Sequence, residues 1–238
     1  MGEGLAPAGL SRDQIVKHWL LNLAINCPVH LPLLFPSFRS GALNVRAIPH
    51  CPGVELARGL LDLFRSAMVT LSSESQEDEV TSQSGVSRVL DRFLALPTDH
   101  KHERFPRQPP TMRVNFSLTA LGGEIWEKVA EPDWTRLLDE SSDFAEADFY
   151  TPNRDLLMAY MGWYEDINEA RILTETVQWK THKEFEILYW KRLPLVHHVH
   201  CRLEVKPPSA APDWVRDWYF SATRWYRKPW ELSGWPSD

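Results

Sequence analysis

The first half of the chain contains three stretches in which apolar residues recur every three or four positions. That period is typical of a helix with one buried face, and it predicts helices at 12–25, 54–67 and 86–96. Ser11 precedes the first helix and Gln14 follows three residues later, so we expect a capping box there. The apolar face of this helix comprises Ile15, Val16, Trp19, Leu20 and Leu23.

Short alternating segments lie between these helical stretches. Residues 68–71 are predicted to form a short strand, and residues 112–118 alternate between apolar and polar side chains, which predicts a second one. Thr119 follows the second strand and is expected to cap a helix over 120–129. Prolines interrupt residues 27–52, so we expect an irregular connection there, without a long regular element.

The second half begins with helical patterns and then changes period. We predict one helix at 133–140 and another that begins at 151–153 and ends near Asn168. Beyond that point alternation with a period of two predicts an antiparallel sheet with a turn at 181–182. Its strands are expected at 172–181, 183–192 and 195–205. Asp213 is expected to cap a final helix.

Together these elements predict an α+β fold. A helical N-terminal half is followed by a small antiparallel sheet packed with helices and by an aromatic C-terminal tail. The expected organisation is a loose lead-in at 1–10, a domain at 11–130 and an aromatic-rich domain at 131–238. The sequence leaves open whether the two domains share one core.

Residues 54–130 resemble a winged-helix domain of the MarR type. The resemblance rests on segment 84–93, similar to a recognition helix, on the basic loop 97–111, similar to a wing, and on the Leu-Thr-x-x-Gly junction at 118–122. It implies a winged-helix DNA-binding regulator whose second half senses a ligand or dimerises. The residues that it would place against DNA are Ser84, Ser87, Arg88 and Arg92 in the helix and Lys101, Arg104 and Arg107 in the wing.

Charge is distributed unevenly along the chain. The 238 residues carry a formal net charge of −6, which disfavours a general polyanion binder because such proteins need a surplus of Lys and Arg. Much of the acidic excess lies in residues 117–170, which hold 13 acidic and only 3 basic residues. This acidic segment is expected to form a surface that attracts a basic partner.

Aromatic residues are concentrated in the second half. Ten of the eleven tryptophans and all six tyrosines lie at or after Trp126, and tryptophan is favoured at half-buried binding surfaces. This distribution favours a non-catalytic protein-interaction module of the adaptor or bacterial immunity or antitoxin-like kind. The residues predicted to contact a protein partner are Trp218, Trp225, Tyr226, Trp230 and Trp235, together with Asp139, Glu140, Asp143, Glu146 and Asp148.

A histidine-rich strand carries the clearest metal-binding pattern. Alternation places His198 and His200 on one face of this strand, and His197 and Cys201 on the other. Only the first two are positioned for one ion, whereas a catalytic zinc site commonly takes three protein ligands. A metal-dependent enzyme is therefore the least favoured of the three hypotheses.

Other chemical signatures are weak. Cys27, His30, His50 and Cys51 are suitable metal ligands by type, but their spacing differs from that of familiar zinc sites. No nucleophile elbow, phosphate loop or dinucleotide fingerprint occurs in the sequence, so we expect no cofactor. Three cysteines, no leader and no long apolar stretch favour a cytoplasmic protein that does not enter a membrane. The sequence leaves homo-oligomerisation open.

Overall fold

The computed structural model describes residues 10–34, 51, 53–73, 80–95, 114–143, 145–168, 170–206 and 212–227. Within these residues, six helices and two antiparallel sheets form a mixed α/β structure. They divide into two compact units, one ending at Ala130 and the other covering Glu131–Arg227. None of the helices in this part of the chain is long and apolar enough to cross a membrane.

The described part of the N-terminal unit contains four helices and three strands. They are α1 (Arg12–Leu23), β1 (Val29–His30), α2 (Gly53–Arg65), β2 (Val69–Ser73), α3 (Gln83–Leu94), β3 (Val114–Leu118) and α4 (Ala120–Ala130). The predicted capping box of α1 is confirmed, because Ser11 Oγ accepts the Gln14 N–H at 3.3 Å and Gln14 Oε1 accepts the Ser11 N–H at 2.8 Å. Trp19 lies on the apolar face of α1 and is fully buried.

The strand β3 lies at the centre of the N-terminal sheet, between β1 and β2. Val29 of β1 and Leu71 of β2 both pair with Phe116, whose side chain is fully buried. β1 falls in the proline-rich connection and, at two residues, is too short to show a period. Both described neighbours of β3 therefore precede α3 in the chain.

The C-terminal unit is built around one five-stranded antiparallel sheet. Its elements are β4 (Asp139–Ser142), β5 (Glu146–Thr151), α5 (Arg154–Ile167), β6 (Ala170–Ile172), β7 (Gln178–Leu188), β8 (Lys191–Val205) and α6 (Asp213–Ala222). The strand β8 is central: β5 pairs with one side of it, and β6 and β7 pair with different parts of its other side. One sheet face buries Phe149 and Val199 against Leu157 and Tyr160 of α5.

The predicted turn at 181–182 is wrong. β7 continues through these residues, since His182 pairs with Val196 and Lys183 with Leu195. The chain reverses instead at Tyr189 and Trp190, a pair without the Gly or Asn that marks a tight hairpin.

The predicted separation of the strands at 183–192 and 195–205 is also wrong, because β8 begins at Lys191 and runs through Pro194. Pro194 has no N–H to donate to the ladder. The opposite strand accommodates it: Glu184 has a φ of 51° and lies between the pairs Lys183–Leu195 and Phe185–Leu193.

The predicted helix at 133–140 is wrong as well. Asp133 caps a single 3-10 turn at Trp134–Arg136, accepting the Thr135 N–H at 3.1 Å. The next residues pair with β5 as the strand β4, so pairing within the sheet overrides local helix propensity. The acidic segment that follows is a β-hairpin.

Gly122 allows the start of α4 to approach the end of α2 closely. Thr119 donates its N–H to the Met68 carbonyl oxygen at 3.0 Å, and its hydroxyl donates to the Ala67 carbonyl oxygen at 2.7 Å. A Cβ atom at Gly122 would lie 1.9 Å from the Met68 carbonyl oxygen. Only glycine fits this junction without a shift of the backbone.

Substitution of Gly122 by alanine is therefore expected to destabilise the N-terminal unit. The clash involves backbone on both sides, so we expect a loss of about 3 kcal/mol or more in the free energy of unfolding. Urea denaturation followed by circular dichroism measures this loss.

Gly162→Ala in α5 is the matched control, because beyond its chain neighbours and the backbone of its own helix no heavy atom of the described residues lies within 4 Å of the Cβ position there. This change should stabilise by about 0.5 to 1 kcal/mol through helix propensity. Equal unfolding midpoints for Gly122→Ala and the wild type would contradict the proposed close approach.

Candidate functional site

The β4–β5 hairpin gathers the acidic residues that the sequence analysis singled out. Residues 137–151 contain Asp139, Glu140, Asp143, Glu146 and Asp148 and no Lys or Arg; we call this segment the acidic hairpin. Among the described strands, β4 has one neighbour, β5, and it forms the edge of the sheet. A concentrated negative charge thus lies along an exposed edge of the C-terminal unit.

Asp143 holds the turn of the acidic hairpin. Its Oδ1 accepts the N–H groups of Ala145 at 2.7 Å and of Glu146 at 2.8 Å. These two backbone hydrogen bonds favour the ionised carboxylate and lower the pKa of Asp143. Its charge therefore contributes to the formation of the hairpin.

The strand register sorts the remaining carboxylates onto two faces. Asp139 pairs with Tyr150, and Asp148 pairs with His200. Glu146 lies two residues before Asp148 and pairs with Arg202. Since alternate residues of a strand share a face, three acidic side chains share one sheet face with His198 and His200. We call this the histidine face.

Glu140 lies on the opposite face, toward α5. Its two carboxylate oxygens accept the hydroxyl groups of Tyr160 at 2.6 Å and of Tyr164 at 3.3 Å. Burial, followed by the charge of Glu140, raises the pKa of both tyrosines. They remain protonated donors, and Glu140 anchors β4 to α5 within the unit.

Three histidines and one carboxylate form a hydrogen-bonded cluster on the histidine face. Asp148 Oδ1 lies 2.7 Å from His198 Nε2 and 3.2 Å from His200 Nδ1. The other ring nitrogen of His198 lies 3.3 Å from His182 Nε2. The His198 ring also stacks on Tyr150, with centroids 4.4 Å apart. Asp148 thus joins the predicted acidic face to the predicted histidine pair.

Burial and hydrogen bonding oppose each other at Asp148. Burial raises the pKa of this carboxyl, but hydrogen bonds from His198 and His200 outweigh it, and the pKa is lowered overall. The sequence did not identify His182 and Tyr150 as members of the cluster. A correct prediction of β5 and β7 as continuous strands would have placed both on this face.

The central atoms of the histidine cluster are engaged in hydrogen bonds with one another. Asp148 Oδ1 and both ring nitrogens of His198 already have partners within the cluster. Over the described ranges, no group of three His, Cys, Asp or Glu side chains is arranged to hold a metal ion. Cys51 lies in the N-terminal unit 3.7 Å from Glu55, and His50 lies outside the described residues.

The structure places three of the five predicted aromatic contacts within the C-terminal unit's own packing. Trp218 is partly buried against the α5 core. Trp225 packs on Trp134 with ring centroids 5.0 Å apart, and Tyr226 meets Trp225 edge-on at 4.8 Å. Trp230 and Trp235 lie outside the described residues.

Two aromatic residues of α6 are exposed instead. Trp214 is 55% exposed and Phe220 is 66% exposed. Neither is among the residues predicted to contact a partner, since every residue around them is compatible with a packed amphipathic helix. Only the packing of α6, in which Val215 is buried, distinguishes them.

The predicted recognition helix is α3, which begins at Gln83 because Ser82 caps it. Ser84, Arg88 and Arg92 are exposed, and Ser87 is half-buried. The opposite side of α3 buries Val86, Val89, Leu90 and Phe93. Lys101, Arg104 and Arg107 of the predicted wing lie outside the described residues.

Replacement of Asp148 by asparagine tests the histidine cluster. Loss of two charge-assisted hydrogen bonds at a partly exposed site should cost about 1 kcal/mol at neutral pH. Because the folded-state pKa of Asp148 is lowered, this stabilisation is present above the ordinary Asp pKa of about 4 and is lost as the pH falls through the lowered value.

Urea unfolding of wild type and Asp148→Asn over a pH series measures the effect. The difference between them should shrink as the pH falls below the ordinary Asp pKa and vanish once Asp148 is protonated in the folded state. Asp217→Asn, an exposed change on α6, is the control and should track the wild type throughout. A difference that persists unchanged at the acid end would rule out the ionised cluster.

Comparisons with known proteins identify no relative of this chain. No protein-family model matches the sequence, and no curated protein or solved structure matches it either. Its function is therefore inferred from the chemistry and position of the described side chains.

Proposed function

We propose that this chain is a non-catalytic, cytoplasmic protein-interaction module of the adaptor or bacterial immunity or antitoxin-like kind. Its C-terminal unit binds a basic segment of a partner protein. The observation that carries the proposal is the acidic hairpin, in which residues 137–151 place five carboxylates and no Lys or Arg at the edge of a sheet.

The acidic residues divide into structural and surface groups. Glu140, Asp143 and Asp148 accept hydrogen bonds within the unit. Asp139 and Glu146 are exposed and lie on the same sheet face. These two carboxylates are the direct contacts that we propose for a basic partner, and the other three add to the electrostatic field that steers it.

Exposed aromatic side chains support a protein rather than a small-molecule partner. Trp214 and Phe220 present large apolar surfaces on α6, and aromatic residues commonly anchor protein interfaces. Trp218, Trp225 and Tyr226 act chiefly by holding α6 and the following segment on their own unit. Trp230 and Trp235, which lie outside the described residues, remain predicted partner contacts.

Neutralisation of the two exposed carboxylates tests the proposal. A protein that co-purifies with the full chain from its native source would be identified, produced separately and titrated against the chain. We expect Asp139→Asn with Glu146→Gln to weaken binding about tenfold, or about 1.4 kcal/mol. Raising the salt concentration should reduce the wild-type affinity as well.

Glu175→Gln with Asp217→Asn is the matched control, because it removes two exposed acidic charges from other parts of the same unit. This variant should bind within about twofold of wild type. Equal losses in the two variants would show that only net charge matters and would contradict a site at the acidic hairpin.

A second candidate function is DNA binding by a winged-helix N-terminal half, with the C-terminal half sensing a ligand or dimerising. The specific observation in its favour is α3, whose exposed side carries Ser84, Arg88 and Arg92 opposite a buried apolar side. Such a helix has the form of a recognition helix that enters a major groove.

A mobility-shift assay with duplex DNA tests this second candidate. At roughly 50 mM salt, where phosphate contacts are strong, the full chain should shift the duplex and Arg88→Ala with Arg92→Ala should abolish the shift. Arg58→Ala with Arg65→Ala, on α2, should leave it intact. Absence of a shift by wild type at this salt would exclude the regulator.

A further inference from the structure

We propose that the partner segment adds to the sheet as a new β-strand along β4, with its basic side chains at alternating positions on the histidine face. This inference rests on the proposed function at the acidic hairpin. It specifies the form of the partner: a short, extended segment of a protein, basic at every second residue.

The outer edge of β4 can accept another strand. In an antiparallel sheet each strand directs backbone N–H and C=O groups to both sides, and among the described strands only β5 pairs with β4. No backbone hydrogen bond beyond this ladder is formed by Asp139–Ser142 within the described residues. An extended peptide can bind such an edge through its main chain.

The length of β4 sets the length of the partner segment. β4 has four residues, which at about 3.4 Å per residue span roughly 14 Å. A partner strand of about six residues covers this edge with one residue to spare at each end. A longer segment is not required.

The internal contacts of the acidic hairpin set the sidedness of the partner. Glu140 faces α5 and is held by Tyr160 and Tyr164, so its carboxylate is not available on that face. Asp139 faces the other way, with Glu146 and Asp148 on the adjacent strand. The negative charge offered to an added strand therefore lies on the histidine face alone.

A strand that matches this distribution of charge must carry different kinds of side chain on its two faces. Because its side chains alternate between faces, Arg or Lys at every second position all point toward the histidine face. Side chains directly opposite across two strands approach to about 5 Å, which brings a basic group within reach of Asp139. The intervening residues face toward Glu140 and Ser142, where small polar side chains such as Thr fit.

Charged residues on an edge strand also have a protective role, since they prevent pairing with other chains. If the acidic residues had only this role, β4 would repel an extended peptide and would not bind it. Attraction of a basic strand and repulsion of all strands are thus distinguishable by direct titration.

The experiment uses the full chain and three fluorescently labelled synthetic hexapeptides in fluorescence anisotropy titrations. The first alternates Arg and Thr, the second has the same composition in two blocks, Arg-Arg-Arg-Thr-Thr-Thr, and the third is the alternating peptide with N-methyl groups at alternate residues on one edge. We expect the alternating peptide to bind at least about tenfold more tightly than the block isomer. N-methylation on the edge that faces β4 should abolish the gain.

Two measurements locate the bound strand. Hydrogen exchange should slow at the outward amides of Asp139–Ser142 when the alternating peptide binds, and Asp139→Asn should weaken this peptide more than Glu175→Gln does. Equal affinity of the alternating and block peptides, or failure of both to bind, overturns strand addition. Either outcome is independent of the co-purified partner, whose sensitivity to Asp139→Asn with Glu146→Gln decides the proposed function itself.

Discussion

The C-terminal unit depends on the register of β8 against its neighbours. This 15-residue strand pairs with β5, β6 and β7, so a slip by one residue would disturb all three ladders. The register directs Val199 and Cys201 into the core under α5, and it directs His198 and His200 to the opposite face. Core packing thus fixes where the polar chemistry of the unit lies.

The same register makes a strongly acidic hairpin compatible with folding. Five carboxylates in one short hairpin repel one another, but three of them accept hydrogen bonds from tyrosine hydroxyls, backbone N–H groups or histidine rings. Backbone N–H groups at Asp143 and histidine rings at Asp148 favour the ionised form of these two carboxylates. Asp139 and Glu146 are left at the surface, which separates the residues that build the hairpin from the two that we propose to contact a partner.

Helices with a strong apolar period could be predicted from the sequence, whereas elements defined by pairing could not. Ser11 and Gln14 mark the start of α1 through local chemistry alone. β4 has no alternating apolar face, since it reads Asp-Glu-Ser-Ser, and it exists because β5 supplies its hydrogen-bond partners. The hairpin tip at Tyr189 and Trp190 lacks turn residues for a similar reason: the ladder on either side determines the reversal.

The candidate site shows the same limit. Residue types pointed separately to an acidic surface and to a histidine pair, but the contact of Asp148 with His198 spans 50 residues and depends on the β5–β8 register. The same register places Asp139, Glu146 and Asp148 on the histidine face. Glu140 lies on the opposite face, where Tyr160 and Tyr164 bind its carboxylate. A basic partner without a matching alternation would place half of its charges where no carboxylate is available, so under the proposed strand addition geometry as well as charge would select the partner.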